Sequence, residues 1–126
     1  MPGARKDTTP ITLESPAYTG RLAKLGEYTV AFESITRDGD SSPFFKGLPD
    51  DRCPCPHWGV VLEGRLTFHY ADHDETFEAG DAYYAPPGHL PECPAGTELI
   101  TFSPTDQIEE VNAMLAANSA RVAAER

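Results

Sequence analysis

The segment Cys53-Pro54-Cys55-Pro56-His57 places two thiols and an imidazole at every second position. In an extended chain alternate side chains project from one face. Pro54 and Pro56 bias the residues before them toward β or polyproline conformation, which keeps the three groups aligned. Thiolate and imidazole are borderline-soft ligands that suit a divalent metal, zinc first and iron second. His89, on the proline-rich turn Pro86-Pro87-Gly88-His89, completes a candidate metal set of Cys53, Cys55, His57 and His89. The competing reading makes the cysteines small buried hydrophobes or disulfide partners, His57 a packed core histidine and His89 a solvated turn residue. Two further residues can do acid–base work. Glu98 opens a late strand and can serve as ligand or general base. Tyr84, grouped with Tyr83 and Trp58, can orient a substrate or donate a proton, although core packing also accounts for such aromatics.

These groups need a frame, and the surrounding sequence reads as short strands separated by turns. Tyr28 to Thr36 is rich in β-branched and aromatic residues and ends at Arg37-Asp38-Gly39-Asp40. Residues 41 to 56 form a long polar loop with prolines at 43, 49, 54 and 56. Trp58 to Leu62 is a strand, Glu63-Gly64 a turn, and Arg65 to Tyr70 a strand with Leu66, Phe68 and Tyr70 on one face. His69 therefore points outward, and His73 sits in an acidic hairpin turn; both are expected at the surface. Strands at Glu75 to Glu78, Ala82 to Ala85 and Thr97 to Phe102 follow. Such spacing indicates a sandwich or barrel. Ser103-Pro104 has the form of an N-cap with proline at N1, and Ile108, Val111, Leu115 and Val122 lie near one helical stripe, so residues 105 to 126 are expected as a helix. Residues 1 to 10 read as a loose arm, which leaves 11 to 104 for the barrel.

With 126 residues the chain can bury one modest core. Twenty acidic residues against ten basic ones give a formal charge of -10, which repels phosphate backbones and anionic lipid, so neither nucleic acid nor membrane is expected as a partner. The N-terminal residues lack an apolar signal stretch, no apolar run is long enough to span a bilayer, and three cysteines are too few for a secreted disulfide framework. The expected location is the cytoplasm.

The stretch from Cys53 to Pro104 resembles the cupin family. Its first motif runs H-x-H, three or four residues, E, six residues, G; Gly64 is that glycine, which puts His57 at the family's glutamate and Cys53 and Asp51 at its paired histidines. Its second motif runs G, five residues, P-x-G, two residues, H; Gly80 to Gly88 fits the first half, while Pro91 stands at the histidine position and His89 two residues before it. Gly64 and Gly80 allow the positive φ of tight turns. The resemblance implies an all-β cupin barrel, a double-stranded β-helix or jelly roll, closed by the C-terminal helix. It implies that His89 faces the other ligands from across the barrel. It also implies a metal-dependent isomerase, dehydratase, lyase or dioxygenase acting on a small-molecule substrate, or else a ligand-binding or thiol- and metal-sensing domain without turnover. A homodimer is expected, because strand edges and an apolar helix stripe need cover. Light scattering at 13.7 kDa in micromolar solution would count against pairing.

Overall fold

The computed structural model describes residues 3–124. Among these, nine strands precede one helix: β1 (Ile11–Ser15), β2 (Tyr18–Leu25), β3 (Tyr28–Ile35), β4 (His57–Glu63), β5 (Arg65–His69), β6 (Asp74–Glu78), β7 (Ala82–Ala85), β8 (Leu90–Glu92), β9 (Glu98–Pro104) and α1 (Thr105–Ala124). Two antiparallel sheets result, one of six strands in the order β1-β2-β3-β9-β4-β7 and one of three in the order β6-β5-β8. The core between them holds Val61, Leu66, Phe68, Tyr83, Ala85 and Leu99. Each large apolar side chain buried there contributes about 1.5–3 kcal/mol.

The two-residue period sets which groups face inward. On β7, Tyr83 and Ala85 are buried and Ala82 and Tyr84 exposed; on β9, Leu99, Thr101 and Ser103 are buried and Phe102 is exposed. Trp58 is also outside, where it stacks on Tyr84 at 5.2 Å and meets Tyr28 edge-on at 5.9 Å. As expected, His69 lies at the surface between Asp74 and Glu92, and His73 between Asp72 and Glu75.

Several elements depart from the sequence reading. β1 and β2 were not expected, yet β2 pairs with β3 along its full length, from Tyr18↔Ile35 to Leu25↔Tyr28. Ser103 and Pro104 do not cap the helix: cross-strand pairing with β3 continues to Tyr28↔Pro104, and α1 starts one residue later. Loop 41–56 carries two 3-10 turns, Ser42–Phe45 and Pro49–Asp51. Of the expected loose arm, Met1 and Pro2 lie outside the described residues, and Lys6 and Thr9 are anchored to the barrel. Lys6 Nζ pairs with Glu98 at 2.8 Å, and Arg21 donates to the carbonyl of the buried Thr9 at 2.9 Å. Residues 125 and 126, the expected end of the helix, are likewise outside the described range.

Helix α1 lies over the barrel. Ile108 and Val111 are buried against Phe45, Cys53 and Cys55, with Leu115 packed beside them. Asn118 fixes the helix by donating from Nδ2 to the carbonyls of Phe44 and Lys46, at 2.7 and 2.8 Å. No helix among the described residues is long and apolar enough to cross a membrane.

Gly64 and Gly80 have φ of 83° and 95°, as the turn reading requires. Their surroundings differ. A Cβ on Gly64 would lie 2.8 Å from Thr97 Cα, whereas nothing lies within 4 Å of one on Gly80. Valine at Gly80 should cost about 1–3 kcal/mol in backbone strain alone. Valine at Gly64 adds about 1–3 kcal/mol of overpacking. Urea denaturation of both variants should therefore rank Gly64→Val as the less stable; equal midpoints would show that the Thr97 contact relaxes freely.

Candidate metal centre

Three of the four expected ligands meet. Cys53 Sγ, His57 Nε2 or Nδ1 and a ring nitrogen of His89 all lie within 4.8 Å of one another. Cys53 Sγ is 3.5 Å from His57 Nε2, and the two imidazole rings are 4.8 Å apart. Backbone pairing holds the set together: Cys53 N–H donates to the His89 carbonyl at 2.9 Å, and Gly88 N–H donates to the Cys53 carbonyl at 2.8 Å. His57 is the first residue of β4.

Each imidazole is oriented by a bond on its other nitrogen. His89 Nδ1–H donates to the Pro86 carbonyl at 2.8 Å, which leaves Nε2 as the lone-pair nitrogen. His57 Nδ1 is 2.7 Å from Ser103 Oγ, which turns Nε2 toward Cys53. The carbonyl sets the His89 tautomer, and both bonds hold their rings at a set angle, as outer hydrogen bonds do in metal sites. Burial keeps the histidines neutral. His57 is pushed down to about 3, by desolvation first and by His89 second, and desolvation lowers His89 as well. Burial pushes the Cys53 thiol up to about 12.

The donor set fits zinc. Bond lengths of about 2.0–2.3 Å in a tetrahedron separate ligand atoms by roughly 3.3–3.8 Å. The Cys53–His57 separation already falls in that range. A metal at this point would displace the thiol proton and reverse the upward push on Cys53.

Cys55 does not join. The chain bends there instead of continuing the alternation, so the expected shared face breaks between Cys53 and His57. Cys55 is fully buried with Ile108 and Val111 under α1, its thiol pushed up to about 11 by desolvation, and its Sγ lies 3.4 Å from the Pro56 carbonyl. All three cysteines are free. Asp51, at the family's first histidine position, is exposed and accepts from Gly47 N–H at 2.9 Å.

The two expected acid–base groups are also placed elsewhere. Tyr84 is 50% exposed on the outer face; it is Tyr83, its neighbour, that faces in. Glu98 pairs with Lys6 and accepts from Ser34 Oγ at 2.8 Å, away from the cavity lining.

The cluster opens on a cavity of about 720 Å³ between barrel and helix. Its walls include Leu66, Phe68, Leu99, Ile108 and Val111, with Glu33, Tyr18 and Thr101 as inward polar groups that the sequence reading missed. Glu33 accepts from Tyr18 Oη and from Thr101 Oγ1, both at 2.6 Å. Desolvation raises its carboxyl pKa against the opposing effect of those two donors. The two-residue period of β3 groups Glu33 with Thr29, Ala31 and Ile35, all of which line the cavity, but does not say which face of the strand turns inward.

No family model matches the sequence, and no curated protein matches it. Solved structures do. An RmlC-like cupin from Shewanella frigidimarina NCIMB 400 is 19% identical, with a TM-score of 0.56 over 80% of this chain and 88% of that one. KdgF from Halomonas sp. is 14% identical, with a TM-score of 0.54 over 79% and 92%. A variant of Bacillus subtilis oxalate decarboxylase is 15% identical, with a TM-score of 0.55 over 78% of this chain and 28% of its own. At such identities the likeness concerns architecture, and with the two sheets, the Gly64 and Gly80 turns and the capping helix it shows that this chain has the cupin fold in a single-barrel form.

Proposed function

We propose that Cys53, His57 and His89 bind one divalent metal ion, zinc before iron, and that the protein is an enzyme using it as a Lewis acid on a small, mostly apolar molecule. The observation that carries this reading is the convergence of one thiol and two imidazoles, each held by a hydrogen bond on its other nitrogen, on the wall of a largely apolar cavity. Three protein ligands leave a fourth position open, the arrangement of catalytic rather than structural zinc. Bound there, the metal would polarise a carbonyl or hydroxyl of the ligand. The protein contributes the rest: the barrel and α1 wall the cavity with apolar side chains, and Ser103 and the Pro86 carbonyl hold the rings. One of the structural neighbours is an oxalate decarboxylase, so this architecture houses enzymes. A thiol-sensing role is less well supported, because burial holds Cys53 and Cys93 near 12, far from the reactive thiolate form.

The deciding measurement is zinc and iron content of protein purified without a histidine tag and supplemented with each metal. One equivalent of zinc per chain is expected. Sub-stoichiometric metal after supplementation would overturn the reading.

A further inference from the structure

Glu33 has no part in the metal cluster, yet the fold goes to some length to place it. It is the only carboxylate lining the cavity that is not exposed, among the described residues; Glu14, Asp40 and Glu92 stand at the exposed rim. The one cation of the lining, Arg37, is exposed as well. Instead of a cation, hydroxyls from three other strands address Glu33. Tyr18 on β2 donates to Oε2, Thr101 on β9 donates to Oε1, and Tyr83 on β7 reaches Thr101 Oγ1 at 2.6 Å. With its own proton given to Glu33, Thr101 can only accept from Tyr83, so the donors run in one direction, toward the carboxylate.

Space for both phenols is made by missing side chains. A Cβ on Gly20, the residue opposite Glu33, would lie 2.6 Å from Tyr18 Oη. On Gly59, opposite Tyr83, it would lie 2.5 Å from Tyr83 Oη and collide with the Ile100 carbonyl. An apolar barrel would need neither glycine nor the buried charge. Packing alone does not call for a carboxylate here, since burying one is costly even when hydrogen-bonded.

We propose that Glu33 is a catalytic acid–base residue, exchanging a proton with an uncharged carbonyl compound whose oxygen sits at the Cys53, His57 and His89 cluster. The step is balanced. A C–H bond beside the carbonyl breaks, its electron pair moves into the carbonyl system, and the proton goes to a carboxylate oxygen of Glu33. Return of that proton to the same or a neighbouring position regenerates the residue, with nothing oxidised or reduced. Desolvation raises the Glu33 pKa, which moves it toward the value a base needs near neutral pH. The titratable groups around it are Tyr18, Tyr83, Cys93 and Cys53, each with its own pKa raised in part by the Glu33 charge.

The proposal rests on the metal reading, and the test separates the two. Cyclohexanone, a neutral apolar ketone, is incubated with zinc-supplemented protein in heavy water, and loss of its α-hydrogen signal is followed by proton NMR. Zinc per chain is measured on the same samples. Zinc-loaded parent should catalyse exchange, and Glu33→Gln, with zinc unchanged, should lose about 100-fold or more of it. Tyr18→Phe removes one donor to the charged form, so its pH profile should shift to higher pH without loss of zinc. In metal-free protein, the infrared band of a protonated carboxyl that titrates above the usual carboxylate range should vanish in Glu33→Gln. Missing zinc in the parent signals failure of the cluster. Equal exchange by zinc-matched parent and Glu33→Gln, no exchange by the zinc-loaded parent, or an infrared band unchanged by Glu33→Gln would overturn the role of Glu33.

Discussion

Alanine at His57 or His89 is expected to abolish stoichiometric zinc, while alanine at Cys55 leaves it intact. Each histidine presents one lone pair to the cluster, and no other histidine or cysteine groups with it among the described residues. Loss of a hydrogen bond that merely orients a ligand costs about 10–100-fold in metal affinity. Ser103→Ala, which frees the His57 ring, should fall in that range, and loss of a ligand itself should exceed it. Cys53→Ser should also exceed it, because serine cannot replace the soft anionic sulfur. Cys55→Ala tests the geometry directly. The sequence spacing put Cys55 on the same face as its neighbours, whereas the fold buries it beneath α1, so its loss should lower stability but not zinc. His69→Ala is the surface control. Zinc per chain after dialysis against a weak chelator decides the series. Retention by His57→Ala equal to that of His69→Ala would sink the cluster, and zinc loss in Cys55→Ala would restore the four-ligand reading. Affinity should fall as pH falls, because binding displaces the Cys53 proton, while the buried imidazoles are already neutral over the ordinary range.

What the sequence disclosed about this site depended on whether local geometry alone fixes a residue's direction. Gly64, Gly80 and the Pro86-Pro87-Gly88 turn were legible because positive φ and a fixed proline φ are properties of single residues. The parity of β5 was legible too, since Leu66 and Phe68 alternate with polar neighbours. Parity failed on β7, where Tyr83 and Tyr84 are adjacent and chemically alike, and only pairing with β4 decides that Tyr83 faces in. It failed at Cys55 because a bend two residues after the Cys53–His89 bridge interrupts the extended run. Glu33 was hidden more deeply. On β3 the apolar Tyr28, Val30 and Phe32 occupy the face opposite the cavity, so the pattern pointed the wrong way round. β2 was missed because Gly20, Arg21 and Lys24 interrupt its alternation; the strand exists through its full ladder with β3.

The second large effect is on stability in acid. In the metal-free protein His57 has a folded pKa of about 3 against an ordinary value of 6.5, with desolvation the main cause. Between those values the unfolded chain binds a proton that the folded chain does not, so stability falls as pH falls. At pH 4 the full shift would remove about 3 kcal/mol, from 1.36 kcal/mol per unit. His57 keeps some exposure to the cavity, so about 2–3 kcal/mol is the expected loss. His89 shifts in the same direction and adds to it. Glu33 works the other way: its pKa is raised by burial, so its contribution is largest at low pH and is lost as pH rises through the folded value. The two groups can therefore be told apart by the sign of their variants. Urea denaturation of metal-free protein at pH 7 and pH 4 should show a large loss in the parent and a smaller one in His57→Gln. In Glu33→Gln the loss should be larger, with higher stability at pH 7. An unchanged pH slope in His57→Gln would mean that His57 is protonated in the folded state, with water reaching its ring.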